Sequence, residues 1–188
     1  MPLACAIHEG VVFSNRDKRT LPGKLVAMLH SLCVSLPYYL VADSYYAAGK
    51  VIGAMRAGGQ HLISAVRSNA VAYLPAEQPA LRGRGRPRKY GRKVGLKSLF
   101  AELATFESAE SPVYGERGVK ILMRVVDLYW KPAGCLVRFV LVIHPTRGNK
   151  IFLCTDTTLA GIEVVRVYGV RFKIEVTFNH AVHSVGTW

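Results

Sequence analysis

A chain of 188 residues, 51% hydrophobic and 20% charged, allows one substantial core or one core with an inserted module, and it excludes a disordered polymer. Its 25 Lys and Arg against 12 Asp and Glu leave a net charge of +13, which favours a polyanionic partner, nucleic acid foremost, because neutralised phosphates release counterions. The same charge could suit an anionic membrane, but no apolar run is long enough to span one, since residues 25–40 are broken by His30, Ser31, Ser35 and Pro37, and no membrane partner is expected; the opening MPLACAIHEG has neither a basic leader nor an apolar signal core, so a cytoplasmic location is expected.

In chain order, residues 10–13 read as a short strand and 15–20 as a polar loop. Residues 21–36 have helical spacing, with Leu25, Met28, Leu29 and Leu32 on one face, and Pro37 ends the helix. Residues 38–42 (YYLVA) form an apolar β-rich run suited to an interior strand, and Asp43 closes it. A helix over 44–57 ends at Gly58 and Gly59, and a strand follows over 61–67. This alternation argues for an α/β sheet with helices on its faces.

The middle differs. Residues 68–97 are rich in Pro, Gly and Arg and read as loop. Between 119 and 143 two strand-like runs are joined by Lys131-Pro132-Ala133-Gly134, a β-hairpin or meander. One more strand is expected over 151–154, then a long helix from 157 to about 183, capped by Thr157 or Thr158 and with Glu163 early in its course. The chain divides accordingly into a partial core (1–67), a basic loop with a β-rich insertion (68–150), and a last core strand with its helix (151–188). The four cysteines, Cys5, Cys33, Cys135 and Cys154, lack CxxC spacing and read as buried thiols. His180 and His183, three apart, read as ordinary helix residues in the absence of further ligands nearby.

On the last helix Val164, Val167, Tyr168, Arg171, Phe172, Glu175, Phe178 and Val182 recur at three- and four-residue steps. Arg171 and Glu175 interrupt this apolar stripe, and an i,i+4 salt bridge at its margin is the structural explanation. Asp43, between a strand and a helix, has its own in N-capping. Taken together, an acid at a strand end and another on a later helix of one sheet can converge on hard divalent cations. Such ions suit in-line attack at phosphorus.

Two blocks carry a family resemblance. Residues 41–73 (VADSYYAAGKVIGAMRAGGQHLISAVRSNAVAY) resemble the second-Asp region of DDE-type insertion-sequence transposases, and residues 155–175 (TDTTLAGIEVVRVYGVRFKIE) resemble their closing block, in which Tyr, Arg and the catalytic Glu share one helix. The resemblance implies an RNase H-like mixed sheet flanked by helices and interrupted by a β-rich insertion. By that resemblance Asp43 and Glu175 are catalytic ligands of magnesium or manganese in a two-metal site. Tyr168 and Arg171 contact the DNA backbone or the terminal phosphate. The partners implied are double-stranded DNA, as transposon ends and target, and a second copy in a synaptic complex, with the protein associated with the bacterial nucleoid. Two departures stand out. Val182 occupies the position where the family usually carries a basic residue. No recognisable opening-strand Asp precedes Asp43, since Glu9 and Asp17 are the only earlier acids, so a truncated member with impaired activity is expected.

Residues 81–97 contain Arg82, Arg84, Arg86, Arg88, Lys89, Arg92, Lys93 and Lys97 and no acid. Gly85-Arg86-Pro87-Arg88 resembles an AT-hook core. A phosphate-binding loop needs only the charge and is the favoured reading. The rival functions are a non-catalytic DNA-binding remnant and an RNA-binding structural protein, the latter giving no reason for charges inside the apolar stripe.

Overall fold

The computed structural model describes residues 18–77, 85, 87–113 and 115–171. The elements are helix α1 (Leu21–Ser31), strand β1 (Tyr39–Ala42), helix α2 (Gly49–Ala57), strands β2 (His61–Ala65), β3 (Val71–Pro75), β4 (Tyr90–Gly95), β5 (Glu107–Glu110), β6 (Lys120–Trp130), β7 (Cys135–His144) and β8 (Gly148–Cys154), and helix α3 (Gly161–Gly169). Two short 3₁₀ turns, Leu96–Ala101 and Leu103–Thr105, separate β4 from β5. The strands form one mixed sheet in the order β1-β2-β8-β7-β6-β3-β4, with β5 also paired to β6. Among the described residues only β1 and β2 run parallel, joined through α2; the other pairings are antiparallel. The expected α/β architecture, a mixed sheet flanked by helices, is what the chain adopts.

Side chains alternate across the sheet, so the register assigns each residue to a face. Leu128, Trp130, Val137, Phe139, Leu141, Ile151 and Leu153 point one way and bury Ile52 of α2 together with Leu96 and Leu99. Ile121, Val140, Val142, Phe152 and Cys154 point the other way and are covered by Val164 and Val165 of α3. The helices thus lie on opposite faces, each against its own apolar cluster. Burying branched aliphatics of this kind contributes about 1.5–3 kcal/mol per side chain before ordering entropy is subtracted.

Several expectations need correction. The first helix stops at Ser31, well before Pro37, where Cys33 takes a left-handed conformation at φ 47°. Thr20 caps its start, with the Gly23 amide 3.4 Å from its hydroxyl. Leu25, Met28, Leu29 and Leu32 are only half-buried, and Cys33 is exposed instead of buried. Residues 44–46 form a turn, so α2 starts at Gly49, where a Cβ would strike the Pro132 carbonyl oxygen of the β6–β7 turn. Gly59, at φ 68°, closes α2 in a conformation that favours glycine. The Pro-, Gly- and Arg-rich middle holds the paired strands β3 and β4 in place of the expected loop. The β6–β7 hairpin and β8 stand where the hydrophobic runs put them.

Helix α3 begins four residues later than expected. Its N-cap is Ala160, with no side-chain cap. Thr158 is engaged elsewhere, since its amide and hydroxyl both donate to Asp156 Oδ1, at 2.8 and 2.6 Å. The expected strand at 10–13, Cys5, His180, His183 and the helix beyond residue 171 lie outside the described residues.

Candidate active site

Asp43 follows the last residue of β1. Its Oδ1 accepts from the Tyr45 amide at 2.9 Å, an Asx turn that reverses the chain, and its carbonyl accepts from the Ser64 hydroxyl at 2.8 Å and the Tyr46 amide at 3.2 Å. It is therefore held from the neighbouring strand as well as its own turn. It does not cap α2, whose N-cap is Ala48. The side chain remains about half exposed, with Oδ2 facing the other helix layer.

What reaches it from there is Arg171, whose Nη2 lies 4.0 Å from Asp43 Oδ2. Arg171 follows α3, and its amide donates to the Tyr168 carbonyl at 3.0 Å, tightening the helix end. Tyr168 rests its ring on Phe152 of β8, centroids 4.6 Å apart. The two sequence blocks singled out above thus meet: Asp43 at the end of β1, and Tyr168 and Arg171 at the end of α3. Glu175 lies outside the described residues, as do Arg82, Arg84 and Arg86.

The path of α3 is set by contacts at its start. Gly161 comes so close to β6 that a Cβ there would overlap Val125 Cγ2 and crowd the Met123 sulfur. Arg138 on β7 grips Asp127 on β6 with two 2.8 Å hydrogen bonds, from Nε and Nη2, and its Nη1 donates to the Leu159 carbonyl at 2.8 Å. This fork fixes the loop that feeds α3, and the Asp127 carboxylate raises the guanidinium's pKa against the opposing effect of burial. Neither residue stands out in the sequence. The signal lies in the strand register, where Asp127 and Arg138 are direct partners.

Two further polar clusters lie elsewhere on the sheet. The Tyr39 hydroxyl donates to Asp156 Oδ2 at 2.6 Å, which pushes the phenol up to about 12. Burial works to raise Asp156, but the Thr158 hydroxyl, Tyr39, the Thr158 amide and His61 outweigh it and hold the carboxyl at about 2. At the far end of β7, Glu116 accepts from Ser111, lies 3.1 Å from His144 Nε2 and pairs with Arg147 at 2.7 Å. Burial opposes ionisation there too, yet these partners keep Glu116 below the usual carboxylate range.

Of the basic cluster, Arg88 and Lys89 are exposed just before β4, Arg92 and Lys93 are exposed on it, and Lys97 is exposed in the turn after it. Part of the expected loop, Tyr90–Gly95, is thus an outer strand, paired only with β3 among the described residues.

Oxygen donors such as Asp43 suit a hard divalent ion. Among the described residues no three His, Cys, Asp or Glu side chains gather to hold a metal. Of the two carboxylates expected from the sequence to hold the ion, Asp43 is within the described residues and Glu175 is outside them. No described helix is long and apolar enough to cross a membrane.

No curated protein matches the chain. A family model, the DDE superfamily endonuclease, matches residues 4–111, more than half of its length and including Asp43 with its turn and both parallel strands. The mixed α/β sheet accords with the RNase H-like fold of such nucleases, which act on DNA and generally use divalent metals. With the strand-end Asp43 inside the matched stretch, the chain belongs to the DDE superfamily of endonucleases.

Proposed function

We propose that this chain is a transposase-type member of the family, cutting and rejoining phosphodiester bonds at the ends of an insertion element. The observation that carries the reading is the approach of Arg171 to Asp43, which brings the end of α3 to the end of β1. Asp43 and Glu175 would hold magnesium or manganese, which supplies charge stabilisation at the reacting phosphate and activation of the attacking oxygen. Arg171 presents a fixed fork of donors suited to a backbone or terminal phosphate, and Tyr168 contributes its hydroxyl beside it. The exposed Arg88, Lys89, Arg92 and Lys93, with Arg82, Arg84 and Arg86, bind the backbone of double-stranded DNA. A second copy joins in a synaptic complex.

The test is nicking of a supercoiled plasmid carrying candidate element ends, with and without magnesium or manganese. Nicking that needs the ion and disappears in Asp43→Asn and Glu175→Gln supports the proposal. Nicking that persists at the wild-type rate in Asp43→Asn overturns it.

A second reading, a DNA-binding remnant with little or no cleavage, is favoured by the single acid that the described residues bring to Arg171. Loss of a ligand from a two-metal site cripples phosphoryl transfer. That reading expects salt-sensitive binding that survives Glu175→Gln, with no metal-dependent nicking.

A further inference from the structure

Three tyrosines from three strands meet at one end of the sheet. The Tyr73 and Tyr90 rings are 5.4 Å apart and the Tyr90 and Tyr129 rings 5.9 Å apart, both edge to face. Tyr73 is the direct partner of Tyr129 on β6 and of Lys93 on β4, so these side chains emerge on one face. It is the α3 face, because Ile121 and Met123, which pack with α3, alternate in phase with Tyr129 along β6.

Two exposed ammonium groups sit over these rings. Lys131 Nζ lies 4.7 Å from the Tyr73 centroid and 5.9 Å from that of Tyr90. Lys89 Nζ lies 5.8 Å from Tyr129 and 6.0 Å from Tyr90, and it also donates to the Gly134 carbonyl. The ring quadrupoles attract the cations without neutralising them, and an ammonium group has three protons to share. A surface lysine normally loses much side-chain freedom when it meets a phosphate. Here part of that loss has already occurred. Asp127, two residues before Tyr129 on the same face, is engaged in both oxygens by Arg138, and among the described residues no carboxylate pairs with Lys89 or Lys131.

We propose that Tyr73, Tyr90 and Tyr129 form a platform that presents Lys89 and Lys131, with Lys93 beside them, to the phosphodiester backbone of duplex DNA running over the α3 face. Charge complementarity and the family's DNA substrate select the occupant, and fixed point charges select the backbone over base edges. The site adds Lys131 and the three rings to the basic cluster and needs no metal.

The test is fluorescence anisotropy with the full chain and a labelled duplex of arbitrary sequence, in EDTA, across a salt series. Lys89→Met with Lys131→Met should weaken binding equally for unrelated sequences and flatten the plot of log K against log salt by about two, one for each phosphate that is no longer neutralised. Lys150→Met, a single exposed lysine on the β7–β8 hairpin, should leave the affinity within about twofold. Tyr73→Phe, which keeps the ring, should bind as wild type, whereas Tyr73→Leu, with every charge retained, should bind several-fold more weakly. Wild-type affinity and slope in the folded double lysine variant overturn the site. Should Tyr73→Leu fail to fold, the lysine pair alone decides. Tighter binding of duplex RNA than of duplex DNA overturns the choice of occupant. Loss of nicking in Asp43→Asn does not bear on this site, because binding is read without metal.

Discussion

Arg171 Nη2 stands 4.0 Å from Asp43 Oδ2, joining the end of α3 to the end of β1. The pair is loose and both side chains are a third or more exposed, so solvent screens it, and pairs of this kind contribute at most about 1 kcal/mol. Arg171→Ala should accordingly leave the thermal midpoint nearly unchanged while lowering affinity for duplex DNA severalfold. Thermal unfolding and anisotropy on the same preparation separate the two effects. A large drop in midpoint with unchanged affinity would make Arg171 a structural residue.

Gly161 is required by the closeness of α3 to β6. Gly161→Val forces a branched side chain into the space of Val125 and Met123, and overpacking of this kind costs about 1–3 kcal/mol. The urea midpoint should fall with little change in slope. Gly53, whose added Cβ would meet nothing within 4 Å, is the control, and Gly53→Ala should be neutral or slightly stabilising as a helix-interior exchange.

The Asp127–Arg138 pair is better shielded than the Arg171 pair, with side-chain exposures of 31% and 18%. Removing one partner leaves an uncompensated charge. Arg138→Met or Asp127→Leu alone should each destabilise by about 2 kcal/mol, and the double variant by less than the two together. Urea unfolding of the four proteins gives the coupling directly, and full additivity would show the fork to be idle.

Asp156 predicts an acid limb. Its folded pKa, about 2, lies below the ordinary aspartate value of about 4, so its contribution is present above that value and is lost as pH falls from about 4 to 2. Asp156→Asn should be less stable at pH 6 and show a flatter decline over that window. Tyr39→Phe removes one of the stabilising hydrogen bonds and should narrow the window from below. Glu116, also lowered, contributes in the same sense in both proteins, so the difference between wild type and Asp156→Asn isolates the one carboxyl. Parallel pH profiles would refute the assignment.

Legibility in the sequence follows the physical origin of each signal. The β6–β7 hairpin can be read because long apolar runs flank Lys131-Pro132-Ala133-Gly134, and β1 because YYLVA is a short apolar run ended by an acid. Strands β3 and β4 escape a sequence reading because β4 (YGRKVG) carries two glycines and exposed cations; it is fixed as a strand by its partner Tyr73 more than by its own composition. The start of α3 is easily misplaced because Thr158 looks like a cap in one dimension, whereas in space it serves Asp156. Asp43, Tyr168 and Arg171 are marked out by their motif spacing. The Tyr73–Tyr90–Tyr129 group depends on register across three strands, which no local pattern encodes.

The neighbour relations of β2 shape how the protein is made. Strand β2 takes β1 on one side, about twenty residues upstream, but on the other side it takes β8, which leaves the ribosome only after the whole β3–β7 segment has been synthesised. During that interval the nascent β2 exposes an open hydrogen-bonding edge. Arg171 emerges later still, so Asp43 gains its cationic neighbour only after β8 and α3 have been synthesised, and any activity that depends on that encounter is withheld until then.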